Sequence, residues 1–185
     1  MRVAVGDDPP ALCAGRALHR EDRARRRRGR PDAAEDHARA AWLCAERADY
    51  NPLRAWVRAT QHTAAFWQDD YVTAGEYAAD GLHYTATGSA ELYLASALAL
   101  DHARAGDKDR ESVALHRAQD AASTVRRADD ELAGPFSCSV DRAGSLWADA
   151  RLALGETDEA LAFADRAVAA FEATPAHQPI WAVSG

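Results

Sequence analysis

Residues 139–175 read SVDRAGSLWADARLALGETDEALAFADRAVAAFEATP, and the punctuation inside this stretch decides the fold. A helix over about Ser139–Leu154 stops at Gly155, since glycine takes the left-handed backbone of a helix C-cap without strain. Thr157, Asp158 and Glu159 then open a second helix, because hydroxyl and carboxylate oxygens accept the unpaired N–H groups of a first turn. Along that helix Ala160, Ala164, Ala167 and Val168 share one face at three- and four-residue spacing. Pro175 ends it, having no N–H to continue the ladder. The result is a pair of helices with a seam of small side chains, which lets two helices approach closely.

The same template recurs upstream. A helix over about Ala90–Ala105 ends at Gly106-Asp107, and another over about Asp109–Arg127 carries Ala114, Ala118 and Ala121 before Gly134-Pro135 interrupts. Before it, Asn51-Pro52 reads as an N-cap and first-turn proline. The helix Leu53–Trp67 then carries Leu53, Trp56, Val57, Thr60, Ala64 and Trp67 on one broad face. Asp69-Asp70 turns the chain into Tyr71–Thr85, with its stripe Ala74, Ala78, Gly81 and Leu82, and Gly88 is read as its end. An earlier helix starts at Ala33 and repeats Ala38, Ala41, Trp42, Ala45 and Ala48. The alanine stripes that begin at 74, 114 and 160 lie 40 and 46 residues apart. The expected fold is all-α, built from stacked antiparallel helix pairs.

Composition agrees. Alanine makes up about a quarter of the 185 residues, while glycine and proline together number only 18 and cluster at the breaks. Alanine has the best helix propensity and loses no side-chain entropy. The expected organisation is a basic segment 1–31, a helical repeat domain 32–175 and a short tail 176–185. Charge divides the same way: residues 1–30 carry nine arginines against four acids, whereas the rest carries 13 basic and 25 acidic side chains. An acidic body is repelled by a phosphate backbone, so Arg20–Arg30 is the one stretch suited to weak, sequence-blind DNA contact.

Two strings carry a resemblance. Leu146-Trp147-Ala148-Asp149-Ala150-Arg151-Leu152-Ala153-Leu154-Gly155, continued by Ala160, Ala164, Ala167 and Val168, resembles a tetratricopeptide repeat. Leu53-Arg54-Ala55-Trp56-Val57-Arg58, followed by Ala65-Phe66-Trp67 and then Ala74, Ala78 and Gly81, is similar to the C-terminal repeat domain of actinobacterial XRE-type helix-turn-helix regulators. Gly134-Pro135-Phe136-Ser137-Cys138 leading to Trp147 resembles the same family. The likeness covers about Ala33–Pro175. It implies a right-handed α-α superhelix whose concave groove senses a peptide, protein or small molecule. The thirty residues before Pro31 are too few for the family's DNA-binding domain, so the resemblance implies a sensor half without it. In such stacks the first helix of each pair lines the groove. That placement nominates Trp56, Thr63, Phe66, Trp67, Tyr93, Ser96, Arg104, Arg142, Ser145 and Asp149 as partner-binding residues; aromatic and arginine side chains are frequent anchors of binding surfaces. Packing between helices is the competing role for Trp42, Trp56 and Trp147.

Chemistry is sparse. The seven histidines form no HExxH pattern, and the only adjacent His/carboxylate pairs, Asp36-His37 and Asp101-His102, diverge on a helix. Asp107-Lys108-Asp109-Arg110-Glu111 lacks the glycine and final glutamate of a calcium loop. Neither a phosphate-binding glycine loop nor a GxSxG elbow occurs. Cys13, Cys44 and Cys138 form no CxxC pair and read as free thiols of a reducing compartment. No apolar run is long enough to span a bilayer. The expectation is a cytoplasmic, non-enzymatic binding domain that needs no cofactor or metal. The alternative is a self-associating structural module, a homodimer formed through the exposed end of the stack.

Overall fold

A computed structural model of the chain describes residues 31–85, 88–125 and 137–173. Its described residues form seven helices and no strand: α1 (Pro31–Ala48), α2 (Asn51–Phe66), α3 (Tyr71–Gly81), α4 (Gly88–Arg104), α5 (Lys108–Thr124), α6 (Val140–Ala153) and α7 (Thr157–Ala173). The all-α expectation therefore holds. The basic stretch Arg20–Arg30, the Gly134-Pro135 break, Pro175 and the tail 176–185 lie outside the described residues. Chain packing separates two compact units, Met1–His37 and Ala38–Gly185. Of the first, residues 31–37 form the opening turns of α1.

Three hairpins account for most of the packing: α2 on α3, α4 on α5, and α6 on α7. Each hairpin meets the next through α3 on α4 and, more lightly, α5 on α6. In addition α2 packs on α4 and α4 on α6, so the first helices of the hairpins form a continuous layer. Its core is largely alanine: Ala55, Ala78, Ala95, Ala99, Ala118 and Ala143 lose all their solvent contact, with Leu92 and Leu94 the bulkiest fully enclosed apolar residues. Alanine seams of this kind bring backbones close and leave little room for alternatives.

One backbone device closes every short turn. Asp49, Asp69, Gly106 and Gly155 have φ of 47°, 62°, 75° and 79°. Each donates its N–H to the carbonyl three residues back, and the following residue donates five back: Tyr50 to Ala45, Asp70 to Ala65, Asp107 to His102 and Glu156 to Arg151, at 2.9–3.1 Å. This is the double hydrogen bond of a left-handed helix C-cap. Glycine supplies it at two turns, as the sequence indicates, and aspartate, which tolerates that backbone, supplies it at the other two. Asp70 and Asp107 then cap α3 and α5 by accepting from Thr73 and Arg110 N–H, each at 3.1 Å.

Several boundaries differ from the sequence reading. Tyr50, not Asn51, is the N-cap of α2 and provides no side-chain cap; Asn51 instead accepts from Arg54 at 2.6 Å. α3 stops at Gly81 rather than Thr85, because His83 and Tyr84 turn back onto the Asp80 and Gly81 carbonyls. That turn sets the Tyr84 ring edge-on to Trp42 at 5.6 Å. Gly88 does not end α3; with φ of 85° it begins α4.

The middle repeat is also out of the expected register. Ala74, Glu111 and Ala160 donate their N–H groups to Asp70, Asp107 and Glu156, the equivalent residue of each turn, at 3.0 Å. Glu111, not Ala114, is therefore the partner of Ala74 and Ala160. A one-turn slip preserves a stripe spaced by threes and fours, so the alanine pattern alone could not detect it.

Candidate functional site

The first-helix layer holds the sequence-nominated residues. Trp56, Tyr93 and Arg142 each stand thirteen residues before their own turn residue (Asp69, Gly106 and Gly155), so they occupy equivalent places on α2, α4 and α6. They form a ladder. The Trp56 and Tyr93 rings stack at 6.1 Å with 29° between planes, and the Arg142 guanidinium lies 5.1 Å from the Tyr93 ring centroid. Cation–π contact of this kind favours keeping the arginine over the ring. The Tyr93 hydroxyl is hydrogen-bonded to Thr63 Oγ1 at 2.8 Å, and burial pushes the phenol above its ordinary value.

Ser96 is wholly buried. It accepts from Trp147 Nε1 at 2.9 Å and donates to the Leu92 carbonyl at 2.7 Å. It ties α6 to α4 and offers nothing to a partner, which corrects its placement in the groove. Phe66 is half-buried, packed with Leu146 and Leu154 against Leu100, Ala103 and Ala150. Trp67 is 63% exposed at the end of α2, edge-on to Phe66 at 6.0 Å. Arg104, Ser145 and Asp149 are exposed, and Ser145 turns its hydroxyl back to the Arg142 carbonyl at 2.7 Å.

An open trough along α4 is not present. Leu92 through Ala97 are all buried, because α2 and α6 both close on α4. Apart from Arg104 at its end, α4 keeps exposure only at Glu91, Leu98 and His102. These share one face and look the other way, between the second helices α3 and α5. There a cavity of about 350 Å³ is walled by Leu82, Leu98, Val113 and Ala114, with His102 and Arg110 at one end and Arg117 at the other. Burial lowers the His102 pKa and so favours the neutral imidazole, partly opposed by Asp107. A second groove of about 550 Å³ runs between α5 and α7 over Val140, Gly144, Trp147 and Phe163.

Two buried ionisable pairs escaped the sequence reading. His62 on α2 meets Asp101 on α4 at 3.0 Å, and both are nearly solvent-free. His62 Nδ1 and Asp101 Oδ1 have no hydrogen-bond partner, and burial raises the Asp101 pKa against the opposing effect of His62. The absence of neighbouring His/carboxylate pairs in sequence thus did not preclude one across helices. At the next joint Glu111, fully enclosed, lies 3.6 Å from Arg151 Nε. Arg151 also reaches Glu156 at 2.5 Å and Glu159 at 3.3 Å. No sequence signal marks these pairs beyond a charge interrupting an alanine stripe.

Cys138 is buried and Cys44 exposed, and neither forms a disulfide among the described residues. Among the described residues no three His, Cys, Asp or Glu side chains converge as a metal set, and no helix is long and apolar enough to cross a membrane. Comparison of the chain with protein families, curated proteins and solved structures finds no match in any of the three.

Proposed function

We propose that the chain is a non-enzymatic binding domain, a tetratricopeptide-like right-handed superhelix that serves as the sensor part, or a relative of the sensor part, of a transcriptional regulator. The observation that carries this reading is the packing order. First helices follow one another in a layer while second helices pack outside it, the connectivity expected of stacked helix pairs. The side chains suited to a partner are those left exposed at the margins of that layer: Trp67, Arg104, Arg142, Ser145 and Asp149. Trp67 is 63% exposed, and tryptophan and arginine are the side chains most enriched among the anchors of binding surfaces.

The test is selection of ligands on the purified chain from a random peptide library, followed by calorimetry. Selected peptides should bind saturably, and Trp67→Ala should weaken them by about thirtyfold, the size of a hot-spot loss. Binding indifferent to both Trp67→Ala and Arg142→Glu would remove this face. Failure of peptides, metabolites and neighbouring proteins to bind saturably would remove the function.

A specific observation favours self-association as a second reading. Leu161 and Val168, two turns apart on one face of α7, are 57% and 56% exposed. Light scattering during size exclusion should then reveal concentration-dependent dimers that Val168→Glu dissolves; a strict monomer at high concentration sinks this reading.

A further inference from the structure

The cavity between α5 and Leu82 at the end of α3 is where Leu98 and His102 of α4, the most deeply buried helix, reach solvent. Its volume of about 350 Å³ falls within the roughly 300–1,000 Å³ range of small-molecule sites. The walls are Leu82, Leu98 and Val113, and Val113 keeps 73% of its surface in water although it is a branched apolar side chain. Arg110 and Arg117 stand two turns apart on α5, roughly 10 Å along the helix axis, so the cavity has a cation near each end and hydrocarbon between.

The two arginines differ in what they have left to offer. Arg117 is held by Glu91 through Nη2 at 3.0 Å and Nε at 3.1 Å, and the same Nη2 lies 3.5 Å from the Leu82 carbonyl. Arg110 is 74% exposed and faces Asp107 only at 3.5 Å, beyond a good hydrogen bond. Next to it, the His102 ring has no hydrogen bond among the described residues. An arginine fork with unused donors and a neutral imidazole that can donate one N–H together suit a carboxylate. Asp109 lines the same end, and with Asp107 beside Arg110 and Glu91 on Arg117, three carboxylates stand around the two arginines. From residue 31 onward the chain carries 13 basic and 25 acidic side chains. What this end offers a carboxylate is therefore the open donors of Arg110 and the His102 N–H, not a net positive potential.

We propose that this cavity binds a small amphipathic carboxylic acid, its head on Arg110 and His102 and its apolar body along Leu98 and Val113 towards Leu82. The distance between the arginines suits a medium-chain acid such as octanoate, with the tail displacing water from the α4 floor. The inference rests on the ligand-binding reading above but uses the opposite side of the first-helix layer, so each can fail without the other.

Calorimetric titration of the whole chain with octanoate, 1-octanol and octylammonium tests it. Octanoate should bind saturably, with the alcohol and the amine each weaker by roughly tenfold, the value of a charge-assisted contact. Arg110→Gln should cost octanoate about the same factor, and Val113→Asp should abolish its binding. Both side chains are exposed, and circular dichroism of each variant checks that the helices persist. No saturable octanoate binding, equal binding of octanol, or binding untouched by both substitutions would overturn the proposal, whereas peptides selected on the Trp67 face should bind Val113→Asp as they bind the parent.

Discussion

Glu111 is the residue whose environment is least expected from its type. Ala74 and Ala160 hold the equivalent places in the other two hairpins, yet here a carboxylate is fully enclosed with both oxygens lacking a hydrogen bond. The charged groups that face it are Arg151 of α6, Glu156 of the last turn, Glu159 of α7 and Lys108 of its own helix. A buried pair often contributes less than the apolar side chain it replaces, whereas removal of one partner strands the other. Glu111→Ala should therefore leave stability unchanged or raise it by about 1 kcal/mol, while Arg151→Ala should lower it by about 2 kcal/mol; thermal unfolding of both variants checks this. Burial also raises the Glu111 carboxyl above its ordinary value of 4.5. The folded chain then keeps a proton that the unfolded chain has released, so this site's contribution is present at acid pH and is lost as pH rises through the raised value. Glu111→Gln should gain stability over the parent as pH climbs from the carboxyl range towards neutrality. A gap that stays constant across that range would mean the carboxyl is not perturbed.

At the scale of the helix, the decisive feature is how closely α3 approaches its neighbours. A Cβ on Gly81 would lie 2.9 Å from Arg58 Cβ on α2 and 2.9 Å from Leu94 Cδ1 on α4. Arg58 Cβ is fixed to its own helix backbone and cannot yield cheaply. Gly81→Ala would gain about 1 kcal/mol of helix propensity but force an overlap costing about 1–3 kcal/mol. The expected result is a net loss of about 1 kcal/mol or more in chemical denaturation; a gain in stability would mean that α2 and α4 give way. The small-residue stripe of α3 was legible because spacing alone identifies it. The role of Arg58 was not: it pairs with Asp80 and lies 3.8 Å above the Trp42 ring, joining α1, α2 and α3. That contact uses three stretches of chain whose separation carries no local signal.

Across the chain as a whole, charge is the property that organises behaviour. The net −7 combines +5 on residues 1–30 with −12 on the remainder. If any DNA contact occurs it belongs to Arg20–Arg30, and it should fall steeply with salt because it would arise from counterion release. Retention on heparin or random duplex DNA at low salt should vanish when residues 1–31 are removed, with the helical circular dichroism signal kept. Retention that survives the deletion would place a nucleic-acid surface on the acidic body, contrary to its charge.

The helical class, the hairpin turns at Gly106 and Gly155 and the caps at Asp70 and Asp107 were determined by the sequence itself, since caps and periodicity act within a few residues of their cause. Among the nominated side chains, equivalence of Trp56, Tyr93 and Arg142 emerged from counting back to the turn residues Asp69, Gly106 and Gly155. Whether such a residue faces water did not. Burial of Ser96 and closure of α4 depend on how near α2 and α6 come to one another, and the pairing of His62 with Asp101 depends on which hairpin stacks on which. The one-turn register of α5 likewise needed the turn hydrogen bonds as its origin, because a helix face looks the same after a shift of three or four residues. Only the tertiary structure decided these points, for they are set by distances between helices that no single stretch of the chain encodes.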